Sequence, residues 1–161
     1  MKKLRIYVDT SVLGGCFDPE FSAWSNGLLH DFRRGRFRAV LSDVIAAEVE
    51  AAPEKVRGIL AELLVQGAEM ASASAEAMSL LASYESHQIL RSRFRNDMLH
   101  IALATVAEVD VLVSWNFRHI VRLDKIRLFN AVNVEQGYRA LTIYSPREVT
   151  THEQDEDDSR R

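Results

Sequence analysis

Short apolar runs rich in β-branched residues alternate along this chain with longer stretches of helical periodicity, and no other feature limits the fold as much. Residues 4–8 (LRIYV) and 37–41 (FRAVL) read as strands, and 110–114 (DVLVS) is nearly continuous in apolar residues, as strands of parallel sheets are. Residues 68–71 and 141–144 supply two more short strands. Between them, Phe21, Trp24, Leu28 and Phe32 recur at helical spacing as far as Gly35, and Ser42-Asp43 opens a second helix that Pro53 ends. Residues 54–66 form a third helix, Ser74 caps a fourth carrying Met78, Leu81 and Tyr84, and 96–108 is apolar on most sides and so buried. Residues 123–136 make the last helix. The prediction is one α/β domain over residues 1–150, three layers α/β/α around a central parallel sheet of four to five strands.

Composition sets the boundaries of function. The 161 residues suit one domain with a sizeable core. No apolar run approaches the ~20 residues that span a bilayer, and the charges of Arg5 and Asp9 argue against a secretory signal, so no membrane association and a cytoplasmic location are expected. Cys16 is the only cysteine, which excludes an intramolecular disulfide and a thiolate-cluster zinc site. The net charge of −3 comes from the end of the chain: without EQDEDDSRR the body holds 18 basic and 18 acidic residues. Nucleic-acid binding therefore needs local patches. Residues 151–161 read as a solvated, disordered acidic tail.

Chemistry concentrates at one edge. The first strand stops at Asp9-Thr10-Ser11, after which Gly14-Gly15 is expected to release the chain into a loop. Ligands of open α/β sheets bind outside the carboxyl ends of the strands, which is where Asp9 falls, although an aspartate there can also cap the next turn. Glu48 lies four residues after Val44 and three after Ile45, on the apolar stripe of its helix, so its carboxylate points toward the sheet, while Glu50 falls to the side. Asp97 opens the buried helix, with Asn96 beside it to serve as the cap. Asn116 follows the strand that ends at Ser114 and shares the edge with Asp9; Asp110 lies at the opposite end of that strand. If Asp9, Glu48 and Asp97 meet within about 5 Å, each pair repels by roughly 3 kcal/mol at an effective dielectric near 20. A hard divalent cation, Mg²⁺ or Mn²⁺, resolves that conflict with oxygen ligands.

The order DTS after the first strand, the glutamate of LSDVIAAEVE, the aspartate of NDMLHIALATV and then DVLVSWNFRHI resembles the PIN domain over residues 4–149. That family of small metal-dependent ribonucleases includes the VapC-type toxins. The resemblance implies Mg²⁺ or Mn²⁺ dependence, RNA as substrate, Asp9, Glu48 and Asp97 as the acidic residues, and, for a toxin, a small antitoxin partner and a homodimer. One departure stands out: where many members carry a fourth acid in a Thr-x-Asp arrangement, this chain has Ser114-Trp115-Asn116. An asparagine still offers a carbonyl oxygen, but one negative charge is missing.

The expected reaction is metal-assisted phosphodiester hydrolysis by Asp9, Glu48, Asp97 and Asn116, with Thr10, Ser11 and Ser114 in support. Arg91, Arg93, Arg95 and Arg118 are the expected RNA-phosphate contacts, and His119 follows Arg118. His100, on the buried helix, reads as a satisfied core histidine. Two alternatives stay open. One is a catalytically silent RNA- or protein-binding module. The other is an aspartyl-phosphate phosphatase working through Asp9, against which stands Ser11 in place of a second acid.

Overall fold

A computed structural model describes residues 2–151, and it has the three-layer α/β architecture expected from the sequence. In chain order the elements are β1 (Leu4–Val8), α1 (Thr10–Gly15), α2 (Ser22–Arg33), β2 (Phe37–Ser42), α3 (Asp43–Glu50), α4 (Glu54–Val65), β3 (Glu69–Ala71), α5 (Ala75–Ser86), a 3₁₀ turn (Ser92–Phe94), α6 (Arg95–Val106), β4 (Val111–Val113), α7 (Leu123–Glu135), β5 (Ile143–Tyr144) and α8 (Pro146–Val149). The sheet runs β3-β2-β1-β4-β5 with every neighbouring pair parallel. Strand order reverses at β1, and the crevice between the carboxyl ends of β1 and β4 is the topological switch point where such sheets bind ligands.

Burial on both faces explains why the central strands lack alternation. Ile6, Tyr7 and Val8 of β1, and Leu112 and Val113 of β4, are fully buried. The register Val8↔Val113, continued by the Asp9 amide donating to the Val113 carbonyl at 3.1 Å, brings Asp9 level with Ser114. Helix α6 packs into the interior, with every residue from Met98 to Thr105 buried. Asp110 sits at the other end of the sheet, as its place in the strand predicted, and accepts from the Arg5 amide at 2.7 Å.

Three local expectations need correction. Gly14 and Gly15 do not open a loop; they end the short helix α1. Gly15 is needed for packing: a Cβ there would stand 2.7 Å from both Ser25 Oγ and Trp115 Nε1, which are themselves hydrogen-bonded at 2.8 Å. Gly15→Ala is expected to lower stability by about 2 kcal/mol through overpacking, read as a lower urea midpoint. Neither Asn96 nor Asp97 caps α6, whose N-cap is Phe94 with no side-chain bond. The segment after β5 also holds α8, closed by Glu148 accepting from the Ser145 amide at 3.0 Å.

Thr150 and Thr151, which follow α8, are bonded to α2. Buried Asp31 of α2 accepts from Thr150 Oγ1 at 3.0 Å and from the Thr151 amide and hydroxyl at 3.1 and 2.7 Å, with Arg36 Nη1 3.8 Å away. These charge-assisted bonds tie Thr150 and Thr151 to α2. Asp31→Ala is expected to cost about 3 kcal/mol in chemical denaturation, since hydrogen bonds to ionised groups are worth roughly 1.5–3 kcal/mol each and are not additive here. The acidic tail expected to be disordered lies, from residue 152 onward, outside the described residues.

Candidate functional site

Each side chain of the acidic edge is delivered by a different element. Asp9 occupies the N-cap position of α1 but makes no cap bond with its side chain, so the capping explanation of this residue does not hold. Its carboxylate is buried, and Oδ2 accepts from Ser11 Oγ at 2.6 Å and from Ser114 Oγ at 2.8 Å. Both hydroxyls are fixed in turn, Ser11 by accepting from the Trp115 amide at 2.9 Å and Ser114 by accepting from the Asn116 amide at 2.9 Å. Ser11 of α1 and Ser114, which follows β4, therefore clamp one oxygen of Asp9 and leave Oδ1 facing the helix layer.

His100 stands in that layer. Its Nε2 lies 2.5 Å from Glu48 Oε1 and 3.6 Å from Asp9 Oδ1, and its Nδ1 is 2.8 Å from the Tyr7 hydroxyl. Burial disfavours its charged form, but the Glu48 hydrogen bond and the charges of Asp9, Glu48 and Asp97 outweigh burial and raise its pKa above the ordinary value. In its charged form the ring donates from both nitrogens, to Glu48 and to Tyr7. Tyr7 in turn lies 2.8 Å from Ser42 Oγ, which also accepts from the Ile45 amide to cap α3, the helix that carries Glu48. Burial, with Asp9 and Glu48 nearby, pushes the Tyr7 phenol up so that it stays neutral.

Asp97 joins from the first turn of α6. Its Oδ2 is 2.9 Å from His119 Nδ1, and the His119 amide donates to Asn116 Oδ1 at 3.0 Å. The carbonyl oxygen of Asn116, expected among the residues of the reaction site, holds the loop that presents His119 to Asp97. The His119 ring packs against Phe94, centroid to centroid 4.0 Å. Arg93 and Arg118 stand over the same phenyl ring at 4.7 and 6.0 Å, and with Arg91, Arg122 and Lys125 they line a cleft of about 430 Å³. Arg95 points elsewhere, pairing with Glu85 at 3.4 Å.

The structure brings Asp9, Glu48 and Asp97 around one residue, as expected, but the electrostatic reasoning needs correction. A divalent cation is not the sole source of relief for the three carboxylates, because they hold the His100 imidazole among them and raise its pKa above the ordinary value. Among the described residues, no three His, Cys, Asp or Glu side chains form a ready-made metal cage. The donor chemistry nonetheless suits a hard cation. Asp9 Oδ1, Glu48 Oε2 and Asp97 Oδ1 receive no hydrogen bond among the described residues, and the Thr10 hydroxyl is buried beside Asp9 without a partner.

The expectation of a satisfied core histidine holds for His100, whose bonds to Tyr7 and Glu48 also make it the centre of the site. The signal was present in the sequence: Asp97 and His100 are three apart on one helix face, and Tyr7 shares the parity of Asp9.

No family model and no curated protein matches the sequence. Solved structures do share the fold. VapBC2 from Rickettsia felis, crystallised bound to a DNA fragment from the promoter, aligns at a TM-score of 0.56 over 88% of this chain and 98% of that chain, with 14% identity. FitAcB from Neisseria gonorrhoeae aligns at 0.50 over 88% and 97%, with 17% identity. At such identities the likeness is one of fold, and it agrees with the PIN-like architecture anticipated from the sequence.

Proposed function

We propose that this PIN-like domain is a Mg²⁺- or Mn²⁺-dependent ribonuclease that hydrolyses RNA phosphodiester bonds and acts as the toxin of a type II toxin–antitoxin pair. The observation that carries this reading is the gathering of Asp9, Glu48 and Asp97 around His100 at the switch point of the sheet. Asp9 and Asp97, with Glu48, would hold the cation, which when bound generates a nucleophile from water at neutral pH and stabilises charge on the phosphoryl group.

The chain's own residues do the rest. Ser11 and Ser114 fix Asp9 through Oδ2, so that Oδ1 is the oxygen presented to a ligand. His119, held by Asn116, does the same for Asp97. The unpartnered Thr10 hydroxyl is placed to orient water next to Asp9. Arg91, Arg93 and Arg118 bind the phosphates flanking the scissile bond, as exposed guanidinium groups beside an acidic edge do. Arg95 is paired with Glu85 at 3.4 Å.

With the toxin reading go a small antitoxin whose basic segment enters the acidic edge, a homodimer and a cytoplasmic location. Among the described residues no helix is long and apolar enough to cross a membrane. The test is cleavage of structured RNA by the purified protein with Mn²⁺, repeated with Asp9→Asn. Cleavage by the wild type alone supports the assignment; equal cleavage by both refutes it. A second reading, a silent RNA-binding module, draws on His100, which already stands between Glu48 and Asp9 with its pKa raised by them, and cation binding without turnover on any RNA would favour it.

A further inference from the structure

The end of the sheet away from the acidic edge carries positive charge that the described residues leave unanswered. Lys3, just before β1, and Arg38 of β2 are exposed and line a cleft of about 280 Å³ together with Arg33, and no Asp or Glu lines it. The register Arg5↔Arg38 sets β1 beside β2, and Lys3 reaches the turn between α2 and β2: a Cβ on Gly35 would stand 3.3 Å from Lys3 Nζ. Arg33 is engaged by Glu62, which accepts from Nε at 2.5 Å and from Nη2 at 3.0 Å. Lys3, Arg34 and Arg38 have no hydrogen-bond or ion-pair partner among the described residues. With 18 basic and 18 acidic residues in the body of the chain, this is a local excess.

The chain brings its own counter-charge to this place. The Thr151 hydroxyl donates to Asp31 Oδ1 at 2.7 Å and accepts from Arg36 Nη1, two residues before Arg38. Glu153, Asp155, Glu156, Asp157 and Asp158 all follow within seven residues of Thr151. Seven residues span at most about 23 Å, so the tether at Thr151 keeps five carboxylates near the cleft at an effective concentration of order millimolar. Exposed ion pairs are individually weak, but pairs formed within one chain add without a further cost of association. The cleft of Arg91, Arg93 and Arg118 lies beside the acidic edge, at the other ends of the strands.

We infer that the cleft of Lys3, Arg33 and Arg38 is an interaction surface for an acidic peptide, and that its occupant is the chain's own segment 153–158. Occupied, this surface is closed to other polyanions, and nucleic acid is left the cleft of Arg91, Arg93 and Arg118. The inference does not depend on the ribonuclease reading.

The test uses the full chain in EDTA. Carbodiimide, which joins an amine to a carboxylate in contact with it, is expected to link Lys3 to an acid of segment 153–158 within one chain. About 1 M NaCl, which screens charges beyond ~3 Å, should abolish that link. Replacing the five acids by their amides is expected to tighten the binding of inorganic polyphosphate about tenfold. Adding Lys3→Ala and Arg38→Ala should remove the gain, and both side chains are exposed and unpaired, so the fold survives. Adding Arg91→Ala and Arg93→Ala instead should leave it.

Absence of the Lys3 link, or a link found only between isotopically distinguished copies, overturns the inference. So does an unaltered polyphosphate affinity, or a gain indifferent to Lys3 and Arg38, which is then an effect of net charge alone. A gain lost with Arg91 and Arg93 also overturns it, because the acidic segment then seats at the other cleft.

Discussion

In a Mn²⁺-dependent cleavage assay, Asp9→Asn is expected to lose at least ~100-fold in rate while keeping its fold. The amide has the shape of the carboxylate, and its oxygen can accept from Ser11 Oγ and Ser114 Oγ as Oδ2 now does at 2.6 and 2.8 Å. What it cannot supply is the negative oxygen that stands 3.6 Å from His100 Nε2, where an NH₂ group would sit instead. A loss of activity with an unchanged circular dichroism spectrum and a similar thermal midpoint separates loss of a ligand from loss of structure. Full activity in the variant would remove Asp9 from the chemistry.

His100→Leu is expected to lower stability by about 3 kcal/mol in EDTA, measured by urea denaturation. Removing one partner of a buried ion pair leaves the other unrelieved, which costs roughly 3–5 kcal/mol, and partial exposure of Glu48 argues for the lower end. Saturating Mn²⁺ should restore most of the loss, since a ligand at a hundred times its Kd stabilises by about 2.7 kcal/mol. The contribution of His100 also has a sign in pH. Its native pKa is raised above the unfolded 6.5, so its stabilising effect is full below that value and disappears as pH rises through the higher native one. The wild type in EDTA should therefore lose part of its stability on the alkaline side, and His100→Leu should not. A variant as stable as the wild type at pH 6 would contradict this account.

The sequence made the sheet legible because parallel strands announce themselves. Burial of Ile6, Tyr7 and Val8 in β1 and of Leu112 and Val113 in β4 leaves apolar runs that no amphipathic helix imitates, and the stop at Asp9-Thr10-Ser11 marks the strand end. The grouping of Asp9, Glu48 and Asp97 was legible because position on a strand end or helix face fixes direction. The relations among side chains were not. Helix α6 is buried on nearly every side, so no polar stripe distinguished His100 from a core residue. The glycine pair read as a loop because a turn and a close approach to Trp115 demand the same residue. Nor can spacing say which arginine of ILRSRFR is already paired: Arg95 meets Glu85 from α5, a contact made only by the folded chain. Nor does the sequence show that the carbonyl of Asn116 accepts from the His119 amide, as a short polar side chain after a strand serves its own loop first.

The most direct measurement is calorimetric titration of Mn²⁺ into the wild-type protein, Asp9→Asn and Asp97→Asn at one pH. Saturable uptake by the wild type, weakened at least ~10-fold in both variants, is the predicted result. No uptake by the wild type, or uptake that neither substitution alters, would contradict a cation held at the acidic edge.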